Sequence, residues 1–248
     1  MLRNMKDLDG CSIRATDGVV GHVDDFYFDD ERWVIRYLVV DTGTWLSRKV
    51  LISPMSIGHP DWAEKTLPVL ITAEQVKSSP DIDTDKPVSR QHEILHLGYY
   101  GYPYYWGGAG LWGRAMYPNL MMTGETGFAS TRQELPSEVH KAYVKAERAA
   151  HRYDDQHLRS CNAVMSYHIH ATDGDIGHVK GLLVDDESWA IRYLIVDTSN
   201  WWLGHQMLIA PEWIEDVSWP DSSISVNLTR RAVQDAPPYD PSVTMKRG

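Results

Sequence analysis

Apolar and polar positions in this chain alternate over short runs rather than recurring at helical spacing. Val19 to Phe28 and Trp33 to Asp41 are rich in β-branched and aromatic residues, and Asp29-Asp30-Glu31-Arg32 between them has turn composition. The pair is predicted to form a hairpin. Asp17-Gly18 supplies a second tight turn, where glycine can take the positive φ such turns demand. Lys49 to Ser53 and Leu67 to Thr72 predict further strands, and Ala73 to Lys77 a single helical turn. Five or six short strands in about 70 residues, with no long helix, predict a small closed or nearly closed barrel.

The same pattern then returns. Ala15-Thr16-Asp17-Gly18 recurs as Ala171-Thr172-Asp173-Gly174, and Gly21-His22-Val23 as Gly177-His178-Val179. Asp29-Asp30-Glu31 with Trp33 recurs as Asp185-Asp186-Glu187 with Trp189. Ile35-Arg36-Tyr37-Leu38 and Val40-Asp41-Thr42 recur as Ile191-Arg192-Tyr193-Leu194 and Val196-Asp197-Thr198. These are 18 identities over the 28 positions from 15 to 42 at a constant spacing of 156, far beyond chance. One inserted residue near Trp201-Trp202 shifts the spacing to 157, after which Leu51-Ile52 and Pro54 match Leu208-Ile209 and Pro211. The predicted organisation is a first domain over 1–86, a connector over 87–156 and a second domain over 157–243.

The run Ala-Thr-Asp-Gly-x-x-Gly-His-Val, Asp-Asp-Glu, Trp, Arg-Tyr-Leu-x-Val-Asp-Thr and the Leu-Ile-x-Pro strand resembles the PRC-barrel family. That family is named for the barrel domain of the photosynthetic reaction-centre H subunit, and a related barrel occurs in a ribosome maturation factor. The resemblance covers both copies. It implies a mainly β fold of two small six-stranded barrels, related by internal duplication and joined by a partly helical, Tyr/Trp/Gly-rich connector. It also implies assembly or interaction work, with no catalytic motif to carry over. A photosynthetic role is not implied by the barrel alone, because the chain lacks the membrane-spanning helix of the reaction-centre subunit.

The connector holds the candidate chemistry. Pro87 to Leu97 predicts a short helix closed by Gly98, and Pro136 to about Gln156 a longer one with Ser137 as N-cap and an apolar stripe at Val139, Ala142, Tyr143 and Ala146. Between them, Gly98 to Pro118 carries six Tyr, two Trp and six Gly, a composition suited to mortar between elements or to a binding platform. Tyr104, Tyr105, Trp106 and Trp112 are its candidate contact residues, joined by the loop residues Trp45, Trp201 and Trp202. His92-Glu93-Ile94-Leu95-His96 fits H-E-x-x-H, in which two His one helical turn apart, His92 and His96, could hold zinc with Glu93 as general base. The longer His-x-x-Gly-x-x-His continuation is absent, and neither Glu125 nor Glu134 has a spacing that recommends it as third ligand.

The remaining candidates have simpler structural readings. His22 and His178 follow a matched Gly and are read as barrel positions; His168 and His170 alternate so that both face one side of a strand. Asp41-Thr42 and Asp197-Thr198 are read as turn caps. Arg36 is expected to pair across strands with Asp24 or Asp25, although the matching positions Lys180 and Gly181 rule that out in the second copy.

Charge narrows the function. A formal net charge of −10, from 34 acidic against 24 basic residues, argues against a nucleic-acid partner and so against an RNA-processing or ribosome-assembly accessory role. Two isolated cysteines, Cys11 and Cys161, fit a reducing compartment, and no run of about 18 apolar residues suggests a membrane span. A cytoplasmic location is expected. No nucleotide-binding or serine-hydrolase pattern occurs, so no cofactor is expected. The sequence therefore predicts a non-catalytic scaffold or adaptor, a homo-oligomer binding a protein or a small ligand. The zinc-dependent hydrolase built on His92 and His96 is the alternative.

Overall fold

A computed structural model describes residues 1–43, 48–80, 88, 90–122, 158–198 and 205–241. The predicted helix at 136–156 and the tryptophans Trp45, Trp201 and Trp202 lie outside the described residues. The N-terminal half runs β1 (Leu2–Asn4), α1 (Met5–Leu8), β2 (Ser12–Ala15), β3 (Gly18–Asp29), β4 (Val34–Asp41), β5 (Lys49–Ile52), β6 (Thr66–Pro68), α2 (Ala73–Lys77) and α3 (Arg90–Tyr100). The C-terminal half runs β7 (Leu158–Ser160), α4 (Cys161–Val164), β8 (His168–Ala171), β9 (Gly174–Asp185), β10 (Ile191–Asp197), β11 (Gln206–Ile209), β12 (Ile214–Ser218), β13 (Ser223–Val226) and α5 (Arg230–Asp235). The fold is mainly β, and among the described residues no helix is long and apolar enough to cross a membrane.

The chain divides into two compact units. The N-terminal unit comprises Gly10–Arg159 with Glu187–Trp189, and the C-terminal unit Met1–Asp9, Ser160–Asp186 and Ala190–Gly248. These do not coincide with the sequence copies, because residues 1–9 belong to the unit built on the second. In the N-terminal unit the strand order is β5-β4-β3-β2-β6, with β7 paired to β3. In the C-terminal unit the order is β11-β10-β9-β8-β13-β12, with β1 paired antiparallel to β9. The sheets thus hold six and seven strands, where the pattern predicts five or six in each copy and the family resemblance implies six. The extra one is β12, whose N-terminal counterpart makes only the isolated bridges Ile57↔Val69 and Asp61↔Thr66.

Local chemistry explains the hairpins. Asp29 Oδ1 accepts from the backbone N–H of Glu31 and Arg32 at 3.0 and 3.2 Å, holding the turn, and the Trp33 N–H bonds Asp29 O at 2.7 Å. Trp33 adopts φ 54° and Trp189 φ 60°, left-handed conformations that bulky residues seldom take, and the strand predicted from Trp33 begins one residue later, at Val34. Helix α2 opens with a capping box between Thr72 and Gln75. Gly21 is required by close approach, since a Cβ there would lie 2.0 Å from Asp41 O; Gly177 would meet Asp197 O at 1.9 Å. Close backbone approach therefore demands the glycine of the Gly-His step in both copies.

Register sorts the N-terminal sheet into two apolar faces. Phe26, Leu38 and Ile52 are mutual cross-strand partners on one face and are buried with Ile13, Val23, Val40 and Leu67. On the opposite face Tyr27 pairs with Tyr37 and Val39 with Leu51, and these cluster with Val88 of the connector and Leu158 of β7. A sheet apolar on both faces needs cover on both. The connector supplies the second cover.

Candidate functional site

Helix α3 buries Glu93, Ile94, His96 and Leu97 and leaves Leu95 and Tyr99 exposed. Its buried side lies over β4 and β5. His96 Nε2 bonds the Leu51 carbonyl at 2.9 Å, and the imidazole meets the Tyr37 ring edge-on, centroids 5.1 Å apart. The helix runs through Gly98 to Tyr100 and ends where Tyr102 N–H returns to Leu97 O, beside Gly101 in the left-handed region.

Beyond the helix, the aromatic segment closes over Arg36. This guanidinium is buried; its Nε and Nη2 donate to Asp29 Oδ2 at 3.3 and 2.9 Å, and its Nη1 to Leu111 O at 2.7 Å. It stacks 4.0 Å from the Tyr105 ring centroid and 4.8 Å from Trp112. Tyr105 donates its hydroxyl to Glu93 Oε1 and accepts from Arg90 Nη1 at 3.2 Å, and Arg90 also pairs with Glu93 Oε2 at 3.2 Å. Arg90 lies 4.1 Å from the Trp106 ring centroid. Arg32 donates to the carbonyls of Gly108, at 2.7 Å, and Gly110, and Trp112 Nε1 to Ser188 O at 2.8 Å. The result is a balanced quartet of Asp29, Arg36, Arg90 and Glu93, roofed by aromatic rings.

Burial sets the protonation states. It pushes the Tyr37 and Tyr105 hydroxyls well above their ordinary value, and the Glu93 charge adds to the effect. Both stay neutral. Burial likewise lowers His96 to about 4, against the opposing pull of its bond to Leu51 O, and lowers His92 against the pull of Glu93. His96 is thus neutral near pH 7, with its Nε2 proton on the Leu51 carbonyl.

These contacts define what each motif residue touches. His96 donates its Nε2–H to the Leu51 carbonyl, which can only accept, so its one lone pair lies on Nδ1, a buried atom with no hydrogen-bond partner. A general base must reach a water, but Glu93 is fully buried against Tyr105 and Arg90. Among the described residues no three His, Cys, Asp or Glu groups come together to hold a metal ion.

The other candidates fall as follows. Tyr105 and Trp112 are buried, which takes them out of any exposed platform, whereas Tyr104 and Trp106 are half-buried and stack on each other at 4.7 Å. Arg36 does not pair with Asp24 or Asp25. A register shift at Tyr27/Phe28 brings it to Asp29, while Asp24 binds Lys49 at 2.7 Å. Sequence reasoning overlooked Asp29, although Asp29 and Arg36 both recur as Asp185 and Arg192, and Asp24 and Asp25 do not recur. Thr42 and Thr198 bond the carbonyls of Arg48 and His205 at 2.9 and 3.0 Å, closing their turns. His22 is exposed, and His168 and His170 flank the buried Ile169, with His170 against Asp175.

No curated protein matches this sequence. Residues 3–76 match the PRC-barrel domain, a span that runs from β1 through α2. The chain therefore contains a PRC-barrel domain.

Proposed function

We propose that this protein is a non-catalytic scaffold or adaptor with two PRC-type barrels, at 1–86 and 157–243, and that it works by binding a protein partner. The observation that carries the reading is the fate of its reactive-looking residues. Glu93 and His96 hold a connector against a sheet through Tyr105, Arg90 and Leu51 O, and so are unavailable to a substrate. The PRC-barrel domain at 3–76 supports an interaction role in the same sense. The test is crosslinked co-purification from the native host, with metal content measured in the same sample. One reproducible protein partner with no stoichiometric zinc is expected; stoichiometric zinc without a partner would sink the reading in favour of the hydrolase.

A further inference from the structure

The N-terminal unit shows what its outer sheet face binds: a helix and an aromatic loop carrying Glu93, Tyr105 and Trp112. The C-terminal unit repeats that face. Arg192, Tyr193 and Leu208 match Arg36, Tyr37 and Leu51 in sequence, and Ile195 pairs with Leu208 as Val39 pairs with Leu51. The Asp–Arg pair recurs too, with Arg192 Nη2 3.7 Å from Asp185 Oδ2. Among the described residues that cover does not recur. Arg36, Tyr37 and Leu51 are at most 1 % exposed, whereas the Arg192 side chain is 46 % exposed and Tyr193 and Leu208 are half-buried. The C-terminal segment reaches this sheet at its edge, where Tyr239 N–H bonds Gln206 O.

We propose that the outer face of β10 and β11, centred on Arg192, Tyr193 and Leu208, is the docking surface for a partner-protein segment that presents an aromatic ring and a main-chain carbonyl. This rests on the adaptor reading and names the chemistry of the partner. The commitment follows from complementarity already realised in the chain. The matching guanidinium is satisfied by Asp29, whose counterpart Asp185 already meets Arg192, and beyond that by the two rings stacked on it and the Leu111 carbonyl. An occupant of the second face must meet the same cation, the same phenol and the same leucine. Closing it would exclude water from Arg192 and strengthen its stacking on an incoming ring.

The probe is a labelled peptide of the chain's own residues 88–114, titrated against the full chain by fluorescence anisotropy. Saturable binding is expected. Arg192→Glu and Leu208→Asp should each weaken it by about tenfold or more, as should Tyr105→Ala with Trp112→Ala in the peptide. Arg192 is half-exposed, so its variant should keep the wild-type circular dichroism and remain interpretable. Absence of saturable binding, or binding unchanged by both chain variants, overturns the proposal. Retention of the host partner by Arg192→Glu would sink this face and leave the adaptor reading standing. Peptide binding with no host partner would do the reverse.

Discussion

Two sheet faces built from matching residues have opposite fates in this molecule. Arg36 and Tyr37 are interior residues because a connector lies over them; Arg192 and Tyr193, at the matching strand positions, remain partly open to solvent. The strand sequence decides that a β-strand forms and which side chains share a face. It does not decide whether that face is core or surface. The cover decides that, and here it comes from residues about 50 to 75 positions downstream, in α3 and the loop up to Trp112.

Mutation should break the likeness where the cover differs. Arg36→Ala leaves Asp29 buried without its cation and should cost about 3–5 kcal/mol in urea unfolding. Arg192→Ala, at a half-exposed site, should cost less than about 1 kcal/mol. Equal losses would show that cover is not what separates the two sites.

Acid should act through the covered face as well. His96 titrates at about 4 in the folded chain and near 6.5 when unfolded, so between these values the unfolded state holds more protons. Its contribution is intact above about pH 6.5 and is lost as pH falls toward 4, amounting to about 3 kcal/mol. His96→Phe should flatten that slope by this amount, read from unfolding at pH 7 and pH 4.5. A variant with the wild-type slope would contradict the burial assigned to His96.

Where the two units are alike, the comparison should vanish. Gly21→Ala and Gly177→Ala each drive a Cβ onto a carbonyl oxygen, and each should destabilise its own unit by about 3 kcal/mol, measured by hydrogen exchange. The smallest effect is expected at the ion pairs flanking the exchanged strands. Arg159–Asp30 in one unit and Arg3–Asp186 in the other are both 2.9 Å long, and double-mutant cycles should give about 0.5–1 kcal/mol for each.

Much of this was legible in the sequence, and the failures share a cause. The hairpin predicted from Val19 to Asp41 appears as β3 and β4, and Ala73–Lys77 forms the expected helical turn. These elements depend on alternation and capping, which are local. The strand predicted at Leu67–Thr72 is Thr66–Pro68, and the chain beyond it is held by single backbone bonds from Val69 N–H to Arg14 O and from Leu70 N–H to Ser56 O. The helix predicted to stop at Gly98 continues to Tyr100, since Gly101 supplies the left-handed residue instead. The register shift that gives Arg36 to Asp29, the burial of Tyr105 and Trp112, and the transfer of residues 1–9 to the C-terminal unit all depend on contacts distant in sequence. Periodicity carries no record of them. The partner of the second histidine in the H-E-x-x-H pattern is hidden for the same reason, because the Leu51 carbonyl that binds His96 lies 45 residues away.

The most direct test of the account is hydroxyl-radical footprinting of the full chain, read residue by residue by mass spectrometry. Tyr193 and Leu208 should oxidise at least several-fold faster than Tyr37 and Leu51, with Tyr105 and Trp112 as slow as the latter. Equal rates at the matching pairs would mean that both faces are covered alike, and the open face on the C-terminal unit would be lost together with the partner site built on it.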